Sequence, residues 1–427
     1  MAEAEPTQAQ LEASGLNLRP GSLDDGWVAT PPVTLTDGTR IQLYKDGEGL
    51  LAALTAIRNA KKRICLEIYI FHNDATGKVF ADALSERAAA GVAVYLLYDS
   101  LGSGEAKPLL KQMRDAGVRL AEFHPMAPWR CRFSWRPWNR DHRKLLIIDN
   151  QIGGLGGLNI GDEYAGKWVA GSAASMKHLM RDHAIGISGP SVLPLMRSFA
   201  ASWHYVKNGG QIRRALYMHH LDIGRSPKGR RVGKQRSYRP SAHRVLRGEF
   251  AVLASAPTLC SPLRPLLNDL LKNAKSSISI IMAYFAPDDE MIINLCHAAR
   301  RGVHVRLILP ARSDIHIMVI AARSFYSRLL EAGIQIHERK GAVLHAKGLV
   351  VDRRYTMLGS PNLDYKSIES NLEISTIIDS PEFAAQTEHL MDHDIRFSRK
   401  ISRSEWRRRP WVDRLVQWVV SRVRYVL

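Results

Sequence analysis

The sequence predicts an α/β fold built from two similar lobes, on three observations. Short apolar runs alternate with helix-like stretches, the order of these pieces recurs in the second half of the chain, and the residues able to do chemistry fall at matching places in both copies. In the first half, Ile64-Cys-Leu-Glu-Ile-Tyr-Ile-Phe71 is a run suited to a buried strand. The helical stretch after it ends in Arg87-Ala-Ala-Ala-Gly-Val and leads into a second strand at Ala93–Tyr98. Met113-Arg-Asp-Ala-Gly-Val-Arg-Leu120 then repeats the passage from helix end to strand. The second half gives the same order: Ile278-Ser-Ile-Ile-Met-Ala-Tyr-Phe285, then Ala298-Ala-Arg-Arg-Gly-Val leading into a strand that ends at Leu309, then Leu330-Glu-Ala-Gly-Ile-Gln-Ile336. Strands alternating with helices argue for a largely parallel or mixed sheet in each half. The period is too long for a solenoid and reads as a duplicated domain.

Size and composition agree. A chain of 427 residues holds two to three domains, or two copies of one. With 45% hydrophobic and 24% charged residues it is an ordinary globular composition, which excludes wholesale disorder and collagen-like or coiled-coil character. Cys65, Cys131, Cys260 and Cys296 are too few and too scattered for a disulfide framework or a CxxC zinc site. No apolar run is long enough to span a bilayer, and the first residues lack the pattern of a secretory signal.

The 60 Lys and Arg exceed the 41 Asp and Glu by 19. The excess is concentrated in two places. Val206–Glu249 carries 12 basic and 2 acidic side chains, and Arg396–Leu427 carries 10 and 2. Such segments suit docking onto a polyanion, either nucleic acid or an anionic bilayer. The expected organisation is a polar leader (1–37), a first lobe (38–205), a basic linker rich in Gly and Pro (206–249), a second lobe (250–395) and a basic amphipathic tail (396–427).

The third feature of each half carries the chemistry. The first half reads His142-Arg-Lys144-Leu-Leu-Ile-Ile-Asp149, then six residues, then Gly156-Gly-Leu-Asn159. The second reads His345-Ala-Lys347-Gly-Leu-Val-Val-Asp352, then six residues, then Gly359-Ser-Pro-Asn362. In a strand, residues i and i+2 share a face, so each His projects with its Lys. Two imidazoles, two ammonium groups and two amides suit phosphodiester transfer. One imidazole attacks phosphorus and carries the group covalently. The other protonates the leaving alcohol and later deprotonates the incoming one, while Lys and Asn neutralise the equatorial oxygens. A single HxK says little; two copies with the same downstream Gly and Asn are hard to explain by packing. The pattern calls for no metal and no cofactor.

This duplicated HxKxxxxDxxxxxxGxxN pattern resembles that of the phospholipase D superfamily, and matches it in both copies. Within the superfamily the chain looks most like the bacterial cardiolipin synthases, on Glu67-Ile-Tyr-Ile-Phe71, Asp141-His-Arg-Lys-Leu145, Gly156-Gly-Leu-Asn-Ile-Gly-Asp-Glu-Tyr164 and Asn362-Leu-Asp-Tyr-Lys-Ser367. The resemblance implies two pseudo-twofold lobes with one active site between them. It implies His142 as nucleophile and His345 as acid/base, or the reverse. Lys144, Lys347, Asn159 and Asn362 would hold the phosphate. Asp149 and Asp352 complete the catalytic motifs, with a structural role expected at the motif end. A downstream carboxylate would orient each histidine: Glu373 for His345, and Asp182 for His142.

The substrate class remains to be read from the surface. Val412, Leu415, Val416, Val419, Val423 and Val426 recur at helical spacing, with Trp406, Trp411 and Trp418 nearby and Arg414 and Arg422 off the stripe. A basic amphipathic helix of this kind suits a lipid headgroup region, and equally a terminal helix packed on the domain. The insertion before His142 holds alternating Trp and Arg through Trp138, suited to a bilayer, to unpaired bases or to packing over the cleft. The favoured function is a peripheral membrane phosphatidyltransferase on the cytoplasmic face. It would make cardiolipin from anionic phospholipid through a phosphohistidine, with phosphatidylglycerol the donor that the resemblance implies. A phospholipase D-type lipid hydrolase, or a nuclease of the same superfamily, is the alternative; nucleic acid is not the favoured partner.

Overall fold

The computed structural model describes residues 28–127, 129, 138–166, 179–209, 248–255 and 261–423. The first lobe contains β1 (Val33–Thr34), β2 (Arg40–Lys45), β3 (Arg63–Ile68), β4 (Ala93–Asp99), β5 (Arg119–Phe123), β6 (Leu145–Ile148), β7 (Ile152–Gly156), β8 (Met180–Arg181) and β9 (His183–Ser188). The second contains β10 (Phe250–Ser255), β11 (Ser277–Met282), β12 (Phe285–Ala286), β13 (His304–Pro310), β14 (Gln335–Arg339), β15 (Val343–Leu344), β16 (Lys347–Val351), β17 (Tyr355–Gly359), β18 (Leu363–Asp364), β19 (Glu373–Asp379) and β20 (Ser398–Lys400).

Each lobe is built on one eight-stranded sheet, in the orders β1-β2-β9-β7-β6-β3-β4-β5 and β10-β19-β17-β16-β11-β13-β14-β20, while β12 pairs with β18 and β8 with β15. Removing β1 from one and β20 from the other leaves seven strands in the same order. The sheets are mixed. Only β3-β4-β5 and β11-β13-β14 run parallel, and the motif strands pair antiparallel on both sides. The parallel part is the part legible from the helix-to-strand repeats, because only parallel neighbours need a crossover helix.

Those repeats owe their Gly-Val signature to helix ends. Gly91, Gly117, Gly302 and Gly333 follow the last helical turns with φ of 87°, 97°, 92° and 90°, the left-handed C′ position at which a side chain is unfavourable. Asp74 and Asp288 cap the helices 75–89 and 289–300, accepting from the Gly77 and Met291 N–H at 2.8 Å.

Alternation along β6 divides the core. Leu146 and Ile148 pack toward the helices of the first lobe. Leu145 and Ile147 point the other way, into a cluster that also holds Leu358, Ile374, Ile378 and Phe383 of the second lobe. The two sheets therefore share a core between them. Two expected boundaries shift. Strand β1 lies within the expected leader, and β20 pairs with β14 with Ile401 buried in the second core, so the expected tail starts as part of that lobe. Most of the basic 206–249 segment and of the Trp/Arg insertion lies outside the described residues; Trp129 and Trp138 at the edges of the latter are 86% and 79% exposed.

Candidate active site

Each motif histidine sits immediately ahead of its strand, where the backbone of one lobe binds that of the other. Asp141 bridges Leu372, with the His142 N–H donating to the Leu372 carbonyl and the Leu372 N–H to the Arg140 carbonyl, both at 2.9 Å. On the other side β8 pairs with β15, and the His345 N–H donates to the Arg181 carbonyl at 2.8 Å. Each histidine is thus registered one residue away from a carboxylate of the opposite lobe.

The side chains follow. His345 Nδ1 lies 2.6 Å from Asp182 Oδ2, and His142 Nδ1 lies 3.1 and 3.3 Å from the two oxygens of Glu373. Both carboxylates expected from sequence are at the histidines, but the expected pairing is corrected: Glu373 meets His142, and Asp182 meets His345. The reason is the crossed backbone pairing, which motif order within one half does not show. With Nδ1 engaged, each ring has Nε2 left for chemistry. All four groups are buried.

His142 and His345 line one cavity of about 290 Å³, together with Asn159, Asn362, Tyr69 and Tyr284. Lys144 Nζ donates to the His142 carbonyl at 2.7 Å and lies 5.1 Å from the centre of the Tyr69 ring. Lys347 Nζ donates to the His345 carbonyl and stands 2.9 Å from His345 Nδ1. The Asn159 amide donates to Tyr164 Oη at 2.9 Å, and its oxygen accepts from the Ile70 N–H at 3.2 Å. Asn362 Oδ1 is buried with no hydrogen-bond partner among the described residues.

Burial, and then the neighbouring ammonium group, holds both imidazoles below their usual range: Lys144 for His142, and Lys347 for His345. Burial and mutual repulsion bring Lys144 down to about 7, and burial brings Lys347 down to about 8. Burial raises Asp182. Glu373 is also pushed up by burial, but His142 and Lys144 overcome this and hold it below the usual carboxylate range. Two ammonium groups and two imidazoles crowded into one buried pocket repel one another, and an anion placed among them would relieve that repulsion.

The duplicate copies differ around these groups. Ser360 donates to Glu373, whereas a Cβ at the equivalent Gly157 would stand 2.2 Å from Asp182 Oδ1. Beneath His142 the fully buried Arg143 donates to the carbonyls of Glu373 and Ser255 at 3.1 and 2.9 Å, and lies 3.6 Å from Glu67. Burial raises both Glu67 and Asp141 beside it, Asp141 strongly. The corresponding positions beneath His345 are Ile281, Leu344 and Ala346, which form an apolar cluster.

Asp149 and Asp352 are not at the cavity, which corrects their place in the catalytic set. They sit at the far ends of β6 and β16. Asp149 accepts three backbone N–H groups, from Lys61, Lys62 and Arg63, at 2.7–2.8 Å, and Asp352 accepts those of Lys275, Ser276 and Ser277 at 2.7–3.1 Å. Asp149-Asn150 and Asp352-Arg353 all have positive φ, as a tight hairpin turn requires. Their motif spacing reflects the length of the strand they terminate.

Sequence reasoning missed Tyr164, Tyr284 and Asp314. Tyr284 donates to Asp314 at 2.6 Å, and the Tyr284 and Tyr164 rings stand edge-on to His345 at 6.4 and 5.5 Å. Tyr164 closes the Gly156–Tyr164 run, where nothing in the spacing marks it for the site, and Asp314 lies in no motif. Among the described residues no group of three or more His, Cys, Asp or Glu side chains is placed to hold a metal ion.

Residues 53–167 and 267–395 match the family described as cardiolipin synthase, PLD-like domain. The chain belongs to that family. This PLD-like protein is 31% identical to the cardiolipin synthase of Alkalihalophilus pseudofirmus over 90% of its own length and 71% of that protein's. It is 30% identical to cardiolipin synthase A of Pseudomonas fluorescens, over 86% of its length and 71% of the relative's. The structure of phosphatidylserine synthase from Haemophilus influenzae superimposes with a TM-score of 0.65 at 15% identity, covering 99% of this chain and all of that one. That likeness shows the two-lobed fold of this PLD-like protein.

Proposed function

We propose that the protein is a phosphatidyltransferase that joins two phospholipids into cardiolipin, with phosphatidylglycerol as donor and acceptor. The observation that carries the reading is the pair of imidazoles facing one cavity, each gripped at Nδ1 by a carboxylate of the opposite lobe. Nε2 of one attacks phosphorus, forming a P–N bond as the P–O bond to the glycerol headgroup breaks. The other imidazole gives its proton to that leaving oxygen. It then takes the proton of an incoming lipid hydroxyl, whose oxygen displaces histidine and restores a diester. Lys144, Lys347, Asn159 and Asn362 neutralise the phosphoryl oxygens. Either His142 is the nucleophile and His345 the acid/base, or the roles are exchanged; the site is symmetric enough to serve both.

Incubation with vesicles containing labelled phosphatidylglycerol is expected to yield labelled cardiolipin and free glycerol. Release of phosphatidic acid alone would make the enzyme a hydrolase, and cleavage of single-stranded DNA without lipid turnover would defeat the proposal. The lowered lysines add a pH signature. As pH rises through about 7 to 8 the ammonium groups lose their protons when no anion is bound, so phosphodiester binding must draw protons back in. KM is expected to climb, and binding to take up protons, between about pH 7 and 9.

The helix Trp411–Val423 supports membrane docking. Trp411 and Trp418 are 72% and 57% exposed, and Val412, Leu415, Val416 and Val419 are exposed with them. Gln417 and Val420 face inward instead, so the helix turns its apolar side to solvent. Val420 packs on Met318, and Met318 lines the catalytic cavity. No described helix is long and apolar enough to cross a membrane; a surface-lying helix beside the cleft fits a peripheral enzyme. Replacing Trp411 and Trp418 with Ser is expected to weaken sedimentation with anionic vesicles by about tenfold or more, while turnover of a short-chain, monomeric lipid stays near that of the parent.

A further inference from the structure

A second cavity, of about 120 Å³, lies inside the first lobe between helix 48–59 and strands β6, β7 and β9. Its lining is almost wholly apolar. Lys144 and Leu158 border it, two residues and one residue along the chain from His142 and Asn159 of the catalytic cavity. Ile152, 44% exposed, borders it at the hairpin end of β7. It thus runs along the strands from the catalytic end of the lobe toward its surface.

The duplicated half shows what this space holds when it is not wanted. Both motif aspartates bind the start of the strand after the helix, which aligns Arg63 with Ser277 and therefore the helices before them. Gly49, Ala52, Ala53 and Ala56 of the first lobe line the cavity. Their counterparts are Leu263, Leu266, Leu267 and Leu270, all buried in the second core. On the sheet side, Leu146 faces Gly154, where Leu349 faces Met357. Met357 belongs to the same leucine-filled core. In one copy leucines and a methionine occupy both walls, and in the other the same positions hold glycine and alanine.

The glycines of β7 sharpen the point. Gly156 and Gly153 have packing reasons: a Cβ would stand 2.5 Å from the His183 carbonyl oxygen and 2.6 Å from Leu195 Cδ1, respectively. At Gly154 the nearest atoms would be 3.8 and 4.0 Å away, and φ is not in the left-handed region. A side chain would fit there, yet glycine weakens a strand interior and marks places where something else approaches closely.

From these we infer that the first-lobe cavity receives one acyl chain of the phospholipid whose phosphate lies between the histidines. This rests on the proposed lipid activity and goes further by assigning a site to the tail. The dimensions suit it: an engineered apolar cavity of about 150 Å³ stays dry and admits benzene, so this one takes a segment of several methylenes. Lys144 ties the two ends together, reaching His142 and bordering the cavity.

The test is to give the first lobe the packing of the second. Gly154→Met fills the space from the sheet and Ala53→Leu fills it from the helix. Each variant is compared with the parent on dihexanoyl- and dioleoyl-phosphatidylglycerol in mixed micelles, after circular dichroism and a melting curve. The expected result is an unchanged or raised melting temperature, with the preference for the long-chain lipid falling by about tenfold or more while short-chain kcat holds. A fluorescent polyene fatty acid should also bind the parent and fail to bind either filled variant. Should one variant not fold, the other, on the opposite wall, decides. A folded variant that keeps the parent's chain preference and still binds the polyene overturns the inference. A parent that turns over neither lipid overturns the phosphatidyltransferase reading instead.

Discussion

His142→Ala and His345→Ala are each expected to lower turnover by about 10⁴-fold or more, and the double variant to be scarcely worse. In the proposed reaction one imidazole leaves phosphorus bonded to nitrogen while the other moves the proton, so neither works alone. Labelled donor lipid, quenched at short times, should leave label on the protein only while the nucleophile is present. The variant that still traps label therefore identifies the surviving ring as the nucleophile. The crossed pairing adds a sharper expectation. Glu373→Ala should reproduce the kinetic defect of His142→Ala, and Asp182→Ala that of His345→Ala, although each carboxylate lies in the other motif's half of the chain. The reverse correspondence would contradict the geometry.

Asp394→Ala should be the most damaging change to stability. Arg181 of the first lobe clamps both oxygens of Asp394 at 2.8 and 2.7 Å, and Arg339 donates to the same carboxylate at 2.8 Å. Arg181 and Asp394 are fully buried, and Arg339 is 5% exposed. Removing the carboxylate leaves Arg339 with only backbone carbonyls and Arg181 with Asp46 at 3.2 Å as its remaining carboxylate, a loss of about 3 kcal/mol, readable as a lower urea midpoint. The pH dependence has a definite sign. Burial raises the Asp394 pKa, but Arg181 and Arg339 outweigh it and hold the group below its usual value. Its contribution is therefore complete above the unfolded value of about 3.9 and is lost as pH falls through the lower folded one. The parent should lose this stability in acid; the variant, lacking the group, should not.

The duplication was plain in sequence because glycine ends the helices of both halves in the same left-handed turn, and because His, Lys and Asn must keep their spacing to reach one face. The motif aspartates were equally visible; the structural role expected of Asp149 and Asp352 is the hairpin they hold, and only their place in the catalytic set was wrong. Pairing across the lobes was not legible: chain order places Asp182 after His142 and Glu373 after His345, and nothing local reveals the crossed bridges Asp141–Leu372 and β8–β15. Departures between the copies were present and carried more than the matches. Arg143 against Ala346, Glu67 against Ile281 and Gly154 against Met357 each mark a place where the lobes differ in environment. The stripe from Val412 to Val419 was seen at helical spacing, but only the fold shows that Gln417, and not the stripe, faces the protein.

The crossed grip on the histidines obeys the rule of an isologous dimer, in which each unit gives its neighbour what it receives. A single half, expressed alone, would present an imidazole without its anchor; two halves mixed in solution should regain function only by reassociating. Covalent fusion relaxes that reciprocity. Once both halves ride on one polypeptide, identical surfaces are no longer required, and one can specialise for the greasy end of a substrate while the other remains a solid buttress.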